Sequence, residues 1–384
     1  MNNDIIYLDN NSTTPLDPRV LDAMLPYFTT EFGNASSSHN FGINSKKAIE
    51  SAKQKIAQLI KSDSNELIMT SGATESINIA LKGLALHPTN KKKHIITVST
   101  EHNAVLDTCK YLETIGFEVD YLPVNKDGLI DLKDLEAHIK DDTLLVCTMW
   151  VNNETGVIQP IFEISELVKR SNALFMTDAT QAVGKIEIDV VHNNIDIMCF
   201  SSHKIYGARG IGALYLNSKT VGGKNIAPLH HGGGHENGLR SGTLNVPAIV
   251  GFGKASEIAI EEMHINSVFI SKLCNMLEFE LLKIDGAFIN GGKTNKLYNT
   301  ISICIPGLDA NVFIGKNKNI AVSNGSACTS ALLQPSHVLN ALGLTENESL
   351  QTLRISIGKM NTESDIYSLL EKIYVECKNG SNLL

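Results

Sequence analysis

Two charged residues at the ends of successive predicted strands carry the clearest chemical signal in the sequence. Lys204 follows the apolar run 195–201, and Asp178 closes the preceding apolar run 173–178. Because ligands of open α/β sheets bind beyond the carboxyl ends of the strands, we expect both side chains at one site. A lysine there can form a Schiff base with an aldehyde, and a carboxylate there can keep a pyridine nitrogen protonated. This order of acid and lysine is the one expected for a site that binds pyridoxal phosphate. Taken alone, Lys204 would more often be a solvated surface lysine, and Asp178 would more often be a helix N-cap.

Three further residues fit the same cofactor. Gln181 lies one short turn after Asp178, where its amide could hydrogen-bond a phenolic oxygen. Ala73 and Thr74 follow a glycine and open an amphipathic helix, whose first N–H groups and Thr74 hydroxyl would bind a phosphate. Taken alone, Thr74 would equally well be an ordinary N-cap.

Cys328 is the one cysteine of seven that lies outside a predicted strand or helix. The small and polar residues 323–327 before it predict an exposed loop, where functional residues gather. The other six read as small core residues, at Cys109, Cys147, Cys199, Cys274, Cys304 and Cys377. Their scattered positions and the lack of a C-x-x-C pair argue against a disulfide framework or a structural zinc site and indicate a reducing compartment.

Two other motifs are set aside. His231 and His235 have the i, i+4 spacing of zinc ligands on a helix, but the three residues between them are all glycine, which makes a helix improbable. The glycines at 286 and 292, followed by Lys293, resemble a phosphate-binding loop with one residue too many between them. We interpret that segment as a turn.

The elements that must position these residues alternate between short apolar runs and amphipathic segments. Strands are predicted at 66–70, 94–99, 117–124, 144–151, 173–178, 195–201 and 211–216. Helices are predicted at 44–61, with Asn44 or Ser45 as N-cap, and at 102–115, 132–139 and 160–169. This alternation predicts a mostly parallel sheet that is covered on both faces. After residue 245 a helix at 247–283, strands near 300–305 and 353–357, and a helix at 362–377 predict a smaller α+β domain.

The composition excludes several classes of protein. With 384 residues, 43% of them hydrophobic and 19% charged, the chain is long and apolar enough for two or three globular units. The net charge of −8 argues against nucleic acid held by bulk electrostatics. No apolar run approaches the ~20 residues of a membrane span, and the first ten residues do not read as a signal peptide. We therefore expect a cytoplasmic protein.

The motifs, taken in order, resemble those of cysteine desulfurases of the NifS/IscS type, within the class V aminotransferase-like group of pyridoxal-phosphate enzymes. The resemblance covers nearly the whole chain and is carried by YLDNNSTTPLDPRV, FGNASSSH, TSGATESIN, TEHNAVLDTC, VNNETGVIQP, TDATQAVGK, SSHKIYGARGIGALY, HHGGGHENGLRSGT, SNGSACTS and LRISIG. It implies an aspartate aminotransferase-like large domain (fold type I) at residues 15–245. The small α+β domain would combine residues 1–14 and 246–384 and carry the catalytic cysteine.

The resemblance also implies how the cofactor is held. It makes Lys204 in SSHK the lysine that binds pyridoxal phosphate covalently, with Asp178 on the pyridinium nitrogen and Gln181 on the phenolic oxygen. His102 in TEHN would stack on the ring and shuttle protons. The residues that would hold the phosphate are Ala73, Thr74, Ser201 and His203.

The substrate and partners follow from the same resemblance. The resemblance implies that Asn153 in VNNE would lie against the cofactor and, with Arg354 in LRIS, would bind the carboxylate of L-cysteine. An arginine fork suits a carboxylate. Thr243 in RSGT would reach the phosphate of a neighbouring subunit, which implies a homodimer. Cys328 would be the nucleophile that becomes a persulfide. No permanently bound metal is expected, and the one metal contact left open is transient ligation of an iron–sulfur cluster by Cys328.

The resulting prediction is a cysteine desulfurase that converts L-cysteine into L-alanine and passes the sulfur to an acceptor protein, such as an iron–sulfur scaffold. Three alternatives stay open. One is another class V lyase or aminotransferase, the second is a desulfurase dedicated to DNA phosphorothioation, and the third is a non-catalytic sulfur carrier that works through Cys328 alone. Contact with nucleic acid or with a membrane is not expected.

Overall fold

The computed structural model describes residues 5–221, 225–324 and 336–380, so Cys328 lies outside the described residues. The strands are β1 (Ile6–Tyr7), β2 (Leu67–Thr70), β3 (His94–Val98), β4 (Glu118–Leu122), β5 (Thr143–Cys147), β6 (Leu174–Asp178), β7 (Ile197–Ser201), β8 (Gly212–Leu216), β9 (Phe288–Ile289), β10 (Thr300–Cys304), β11 (Ile320–Ala321) and β12 (Thr352–Ser356). The α-helices are α1 (Pro18–Met24), α2 (Pro26–Thr29), α3 (Asn40–Ile60), α4 (Ala73–Ala85), α5 (Asn103–Glu113), α6 (Leu132–His138), α7 (Ile161–Lys169), α8 (Val246–Leu281), α9 (Ala310–Lys316), α10 (His337–Ala341), α11 (Glu346–Leu350) and α12 (Glu363–Gly380).

The central sheet has seven strands in the order β2-β8-β7-β6-β5-β3-β4. All neighbouring pairs are parallel except those of β8, which runs antiparallel to both β2 and β7. The mostly parallel sheet predicted from the sequence is therefore confirmed. The predicted strand 144–151 ends earlier, at Cys147, and the chain then leaves the ladder while the Trp150 N–H still donates to the Asp178 carbonyl at 3.0 Å.

Helices cover both faces of this sheet because its strand residues alternate between two apolar cores. Met198 and Phe200 of β7 face the core formed with α3 and α8, where Phe200 meets Phe252 edge to face. Ile197 and Cys199 point the other way, into the core formed with α4 and α5. A parallel sheet buried on both faces leaves its strand ends as the place where a ligand can reach it.

Helix α3 begins earlier than predicted. Neither Asn44 nor Ser45 is its N-cap: the helix starts at Asn40, and His39 is the cap, with its Nδ1 accepting the N–H of Gly42 at 3.4 Å. Gly42 reads as a helix breaker in the sequence, yet a Cβ there would lie 2.2 Å from the Ser37 carbonyl oxygen. Glycine fits this closely packed first turn because it has no Cβ, and helix α3 includes Gly42.

A second, smaller sheet has the order β12-β10-β9 and is antiparallel, while β1 pairs with β11 in parallel. The second half of α8 packs on this sheet through Ile270, Leu273 and Leu277, whereas its first half packs on the central sheet. One continuous helix thus contributes to both cores. The division into domains 15–245 and 1–14 with 246–384 stays a prediction.

None of the helices in the described part of the chain is both long enough and apolar enough to cross a membrane.

Candidate active site

A cavity of about 790 Å³ lies where the carboxyl ends of β6 and β7 meet the N-terminal ends of α4 and α5. It is lined by Ala73, Thr74, His102, Asn153, Asp178, Gln181, Ser201, His203, Lys204 and Arg354. These are the predicted site residues other than Thr243 and Cys328. Thr243 is exposed and does not line the cavity, and Cys328 is outside the described residues.

Lys204 ends a single 3-10 turn, Ser202–Lys204, that follows β7 directly. Its Nζ donates to the carbonyl oxygens of Asn11 at 2.5 Å and Ser12 at 2.7 Å. The N-terminal segment is held there by the Thr14 N–H, which donates to the His203 carbonyl at 3.0 Å. Reasoning from the sequence assigned no role to residues 11–14, although they lie within the YLDNNSTTPLDPRV motif.

Asp178 is buried at the end of β6, and its Oδ1 accepts the N–H of Thr180 at 2.9 Å. The residues that follow form turns, so Asp178 is not a helix N-cap, the alternative that the sequence left open. Gln181 reaches the same region: its Nε2 donates to the Asn11 carbonyl at 2.9 Å, and its Oε1 accepts from Lys185 Nζ at 2.6 Å.

The N-terminus of α4 forms the opposite wall, and its geometry fits a phosphate. Gly72 is the N-cap, at φ +156°, and supplies no side-chain cap for the first turn. The Ala73 N–H donates to Ser201 Oγ at 2.7 Å, which leaves the Ser201 hydroxyl hydrogen for an anion. Close backbone approach requires glycine at 212, because a Cβ there would lie 2.6 Å from Gly72 Cα.

His102 is the N-cap of α5, and its Nδ1 accepts the Ala104 N–H at 3.1 Å. In the neutral ring the proton is therefore on Nε2. The preceding residue, Glu101, is fully buried, and its Oε1 accepts the Met149 N–H at 2.5 Å. Burial raises the pKa of Glu101 well above its ordinary value, against the lowering effect of the Met149 N–H.

Arg354 projects from the buried strand β12 and is held at two points. Its Nη2 pairs with Asp9 Oδ1 at 2.7 Å, and its Nη1 donates to the Asn153 carbonyl at 3.3 Å. Among the described residues its buried Nε has no hydrogen-bond partner. Since a guanidinium carries five N–H donors, these contacts orient the group and leave donors for a carboxylate.

Glu154 is a cavity residue that sequence reasoning missed, although it stands in the VNNE motif. Its Oε2 accepts the hydroxyl of Ser336 at 2.5 Å, and that hydroxyl oxygen in turn accepts the N–H groups of Val338 and Leu339. Burial raises the pKa of Glu154 to about 7, against the lowering effect of Ser336 and Arg354. Ser336 is thereby fixed at the cavity edge.

The six described cysteines lie in strands or helices, as predicted. Five are buried and Cys377 is half-buried. Burial raises the pKa of each of them, to about 12 for Cys109 and Cys274 and to about 11 for Cys304. A thiol with such a pKa is a poor nucleophile at neutral pH.

Among the described residues one group has the ligand spacing of a metal site: His94, Glu118 and Asp120, at the edge of the central sheet. The Nζ of Lys140 lies 2.7 Å from Glu118 and 3.7 Å from Asp120. An ammonium so placed neutralises the carboxylates and opposes a cation. This group carries no metal assignment.

The chain is similar in sequence and in fold to several known proteins. The model of the Aminotransferase class-V family matches residues 6–369. The chain is 47% identical to "Cysteine desulfurase IscS" of Rickettsia prowazekii over 94% of this chain and 88% of that protein. It superposes on a solved "NifS-like protein" with a TM-score of 0.88 and 38% identity, covering 96% of this chain and 98% of the other. It superposes on "SspA in complex with cysteine" with a TM-score of 0.83 and 38% identity, covering 93% and 100%.

Proposed function

The chain belongs to the aminotransferase class-V family and is a pyridoxal-phosphate-dependent cysteine desulfurase, and from that premise we propose the roles of its residues. Lys204 holds the cofactor, and Cys328 takes the sulfur of L-cysteine. In the overall reaction the Cys328 thiol and L-cysteine give a Cys328 persulfide and L-alanine, so atoms and electrons balance without an outside oxidant. When bound, the cofactor supplies an electron sink at the α-carbon of the substrate.

One juxtaposition supports this proposal most strongly: the Lys204 amine, the Asp178 carboxylate and the α4 N-terminus line the same cavity. Asp178 would keep the pyridine nitrogen protonated, and Gln181 would donate to the phenolic oxygen. The phosphate would lie on the residues that the cavity presents at its α4 end, namely Ala73, Thr74, Ser201 and His203.

The proton transfers would be made by two side chains. Lys204 Nζ, once the amine of L-cysteine has displaced it from the cofactor, would be free to take the α-proton of the substrate. The Nε2 proton of His102 would assist cleavage of the bond between the β-carbon and the sulfur. Arg354 and Asn153 would bind the substrate carboxylate, with the guanidinium oriented by its contact to Asp9. These contacts would orient the α-hydrogen toward Lys204.

Cys328 is within reach of this site by chain length. Ser323 pairs with Arg354 through backbone hydrogen bonds of 2.6 and 3.1 Å, and Ser336 is bonded to Glu154. Residue 328 is five positions after residue 323, and at ~3.5 Å per position the chain can span about 17 Å. Five of the other six cysteines are buried, and the pKa of all six is raised, so Cys328 is the thiol we assign as the nucleophile.

Two variants test this assignment. Cys328→Ala should keep the visible absorption of the bound cofactor and its change on adding L-cysteine, but lose persulfide formation and nearly all sulfide release. Cys199→Ala, at the buried strand leading to Lys204, is the matched control and should keep turnover. Wild-type sulfide release by Cys328→Ala, with loss in Cys199→Ala, would show that the nucleophile is misassigned.

We further propose a homodimer in which Thr243 completes the neighbouring site. Thr243 is exposed on the segment 230–243, which is tied to its own subunit by Arg240 Nε and Glu75 Oε1 at 2.9 Å and by His235 Nε2 and Ser36 Oγ at 3.1 Å. The chain on either side of Ser36 carries exposed apolar side chains, namely Leu25, Phe28, Phe32, Phe41 and Ile43, of which Phe32 and Phe41 stack with their ring centroids 5.3 Å apart. Exposed apolar side chains of this kind are typical of a protein–protein interface, which supports a second copy of the chain as the partner.

Mixed dimers test the shared site. Thr243→Ala should weaken cofactor retention, and Lys204→Ala should abolish activity. Each mixed dimer should contain one site with both residues intact and regain activity at about one site in two. Inactive mixed dimers, formed from variants that fold and exchange subunits, would contradict the shared site.

The sulfur acceptor is proposed to be a protein such as an iron–sulfur scaffold, and location in the cytoplasm stays a prediction. Radiolabelled sulfur on Cys328 should move to the correct acceptor and not to a matched protein whose acceptor cysteines are changed to serine. Release of a keto acid in place of sulfide would instead favour an aminotransferase.

A further inference from the structure

A second lysine lies close to the one assigned to the cofactor. Lys185 is on the turn after β6, and its Nζ donates to Gln181 Oε1 at 2.6 Å. Gln181 Nε2 donates to the Asn11 carbonyl at 2.9 Å, and the same oxygen accepts from Lys204 Nζ at 2.5 Å. A chain of hydrogen bonds therefore joins the two amines through one amide and one carbonyl.

This chain dictates which way the Gln181 amide points. An ammonium can only donate, so the amide must present its oxygen to Lys185 and its nitrogen to the Asn11 carbonyl and the cavity. In the opposite orientation the amide N–H would face a donor and the amide oxygen would face a carbonyl. The hydrogen bond from Lys185 thus keeps the N–H donors of the Gln181 amide on the cavity side, where the phenolic oxygen of the cofactor is proposed to lie.

We propose that Lys185 is a positioning residue for the cofactor: it fixes the donor orientation of the Gln181 amide and places a second cationic centre beside Lys204. The inference rests on the proposed function of Lys204. Donation to an anionic phenolic oxygen and a nearby positive charge both favour release of the proton from the Lys204–cofactor linkage. That linkage would then lose its proton at a lower pH than it would without Lys185.

The electrostatics of the two amines agree with this geometry. Burial and, after it, the positive charge of Lys204 lower the pKa of Lys185 to about 7, so Lys185 is cationic below that pH. The pKa of His203 is lowered to about 4, first by burial and then by the charges of Lys204, Arg209 and Lys185. Lys185 is therefore close enough to the cavity for its charge to act on a residue that lines it.

Other ionisable groups surround the two amines. A small cavity on the far side of Lys204 is lined by both lysines, and its remaining ionisable members are Tyr206, Glu262, Tyr298 and Lys359. Glu262 and Lys359 pair with each other at 3.0 Å, and Lys359 also pairs with Asp17 at 2.7 Å. Lys359 is thus paired with carboxylates, whereas the Lys185 amine donates to Gln181, a residue that lines the main cavity.

The test is a pH titration of the visible absorption band of the bound cofactor in the holoprotein. Lys185→Met removes both donor and charge, and we expect the titration midpoint to rise by on the order of one pH unit. Lys185→Arg keeps both and should titrate within about 0.3 unit of the unsubstituted protein, while Lys185→Gln keeps a donor without charge and should lie between. Lys219→Met, at an exposed lysine, is the matched control and should not change the midpoint.

Borohydride reduction and peptide mapping accompany each titration and should find the cofactor on Lys204 throughout. An unchanged midpoint in Lys185→Met, or an arginine variant shifted as far as the methionine variant, would overturn the role of Lys185. If Lys185→Met does not fold, the glutamine and arginine variants decide by the same comparison. Failure of the proposed function would look different, because the unsubstituted protein itself would then carry the reduced cofactor on another lysine, Lys185 included.

Discussion

Replacing Glu154 by glutamine should remove a pH-dependent cost to stability. Glu154 is buried, and its pKa in the folded protein is about 7 against an ordinary 4.5, chiefly because burial disfavours the charged carboxylate. The folded protein therefore holds this proton more tightly than the unfolded chain does. The contribution of this proton to the free energy of unfolding is fully present below about pH 4.5 and is lost as the pH rises through 7.

The size of the effect follows from the shift. At 1.36 kcal/mol per pH unit, the shift of Glu154 corresponds to about 3 kcal/mol lost between pH 4.5 and pH 8. An unfolding entropy of ~2.1 cal/mol/K per residue gives roughly 0.8 kcal/mol/K for this chain, so 3 kcal/mol is about 4 °C in Tm. Glutamine keeps an oxygen that accepts the Ser336 hydroxyl and cannot become charged, so it avoids this loss.

The assay is thermal unfolding of Glu154→Gln and the unsubstituted protein, both saturated with cofactor, at pH 5 and pH 8. The interval from pH 5 to pH 8 contains about 2.5 kcal/mol of this loss, so the difference in Tm should be more favourable to the variant at pH 8 than at pH 5 by about 3 °C. Glu163→Gln, at an exposed position on α7, should show the same difference at both pH values. A pH-independent difference for Glu154→Gln would refute the reasoning, because the carboxyl would then titrate alike in the folded and unfolded chain.

Three further predictions concern other parts of the site and its supports. Asp178→Asn should keep the hydrogen bond to the Thr180 N–H and leave the thermal midpoint unchanged. The rate of sulfide release should fall roughly 10- to 100-fold, because a charge-assisted bond of about 1.5–3 kcal/mol is lost. A rate within twofold of the original would contradict the role of Asp178 at the pyridinium nitrogen. Gly212→Ala should raise the dissociation constant of pyridoxal phosphate in an equilibrium titration, because the new Cβ would lie 2.6 Å from Gly72 Cα. Gly315→Ala is the control: a Cβ there has nothing within 4 Å, and this variant should bind pyridoxal phosphate normally. Lys53→Met should lower the free energy of unfolding by about 3 kcal/mol in denaturant titrations, because it leaves Glu236, whose side chain is only 3% exposed, without its cation. The double variant with Glu236→Gln should recover much of this loss. No recovery would show that the loss comes from packing rather than from charge.

Local patterns in the sequence were sufficient for the central architecture and for the ends of the site. The apolar runs that predict strands match β2 to β8, apart from the early end of β5. Most of these strands are buried on both faces of the sheet, and such a strand is a continuous apolar run that can be recognised without knowing its partners. Asp178 and Lys204 could be paired in advance because parallel strands end at one edge. The place of the α4 N-terminus at the site could be predicted because a glycine before an amphipathic helix is a local signal.

The contacts that orient these groups were decided by the tertiary structure alone. Asn11 is 193 residues from Lys204, Asp9 is 345 from Arg354, and Glu154 is 182 from Ser336. Backbone carbonyls such as that of Asn11 carry no residue-type signal, and Lys185 and Glu154 look like ordinary surface charges in a sequence. Only the packing of distant segments buries them and brings them together, and burial is what changes their chemistry.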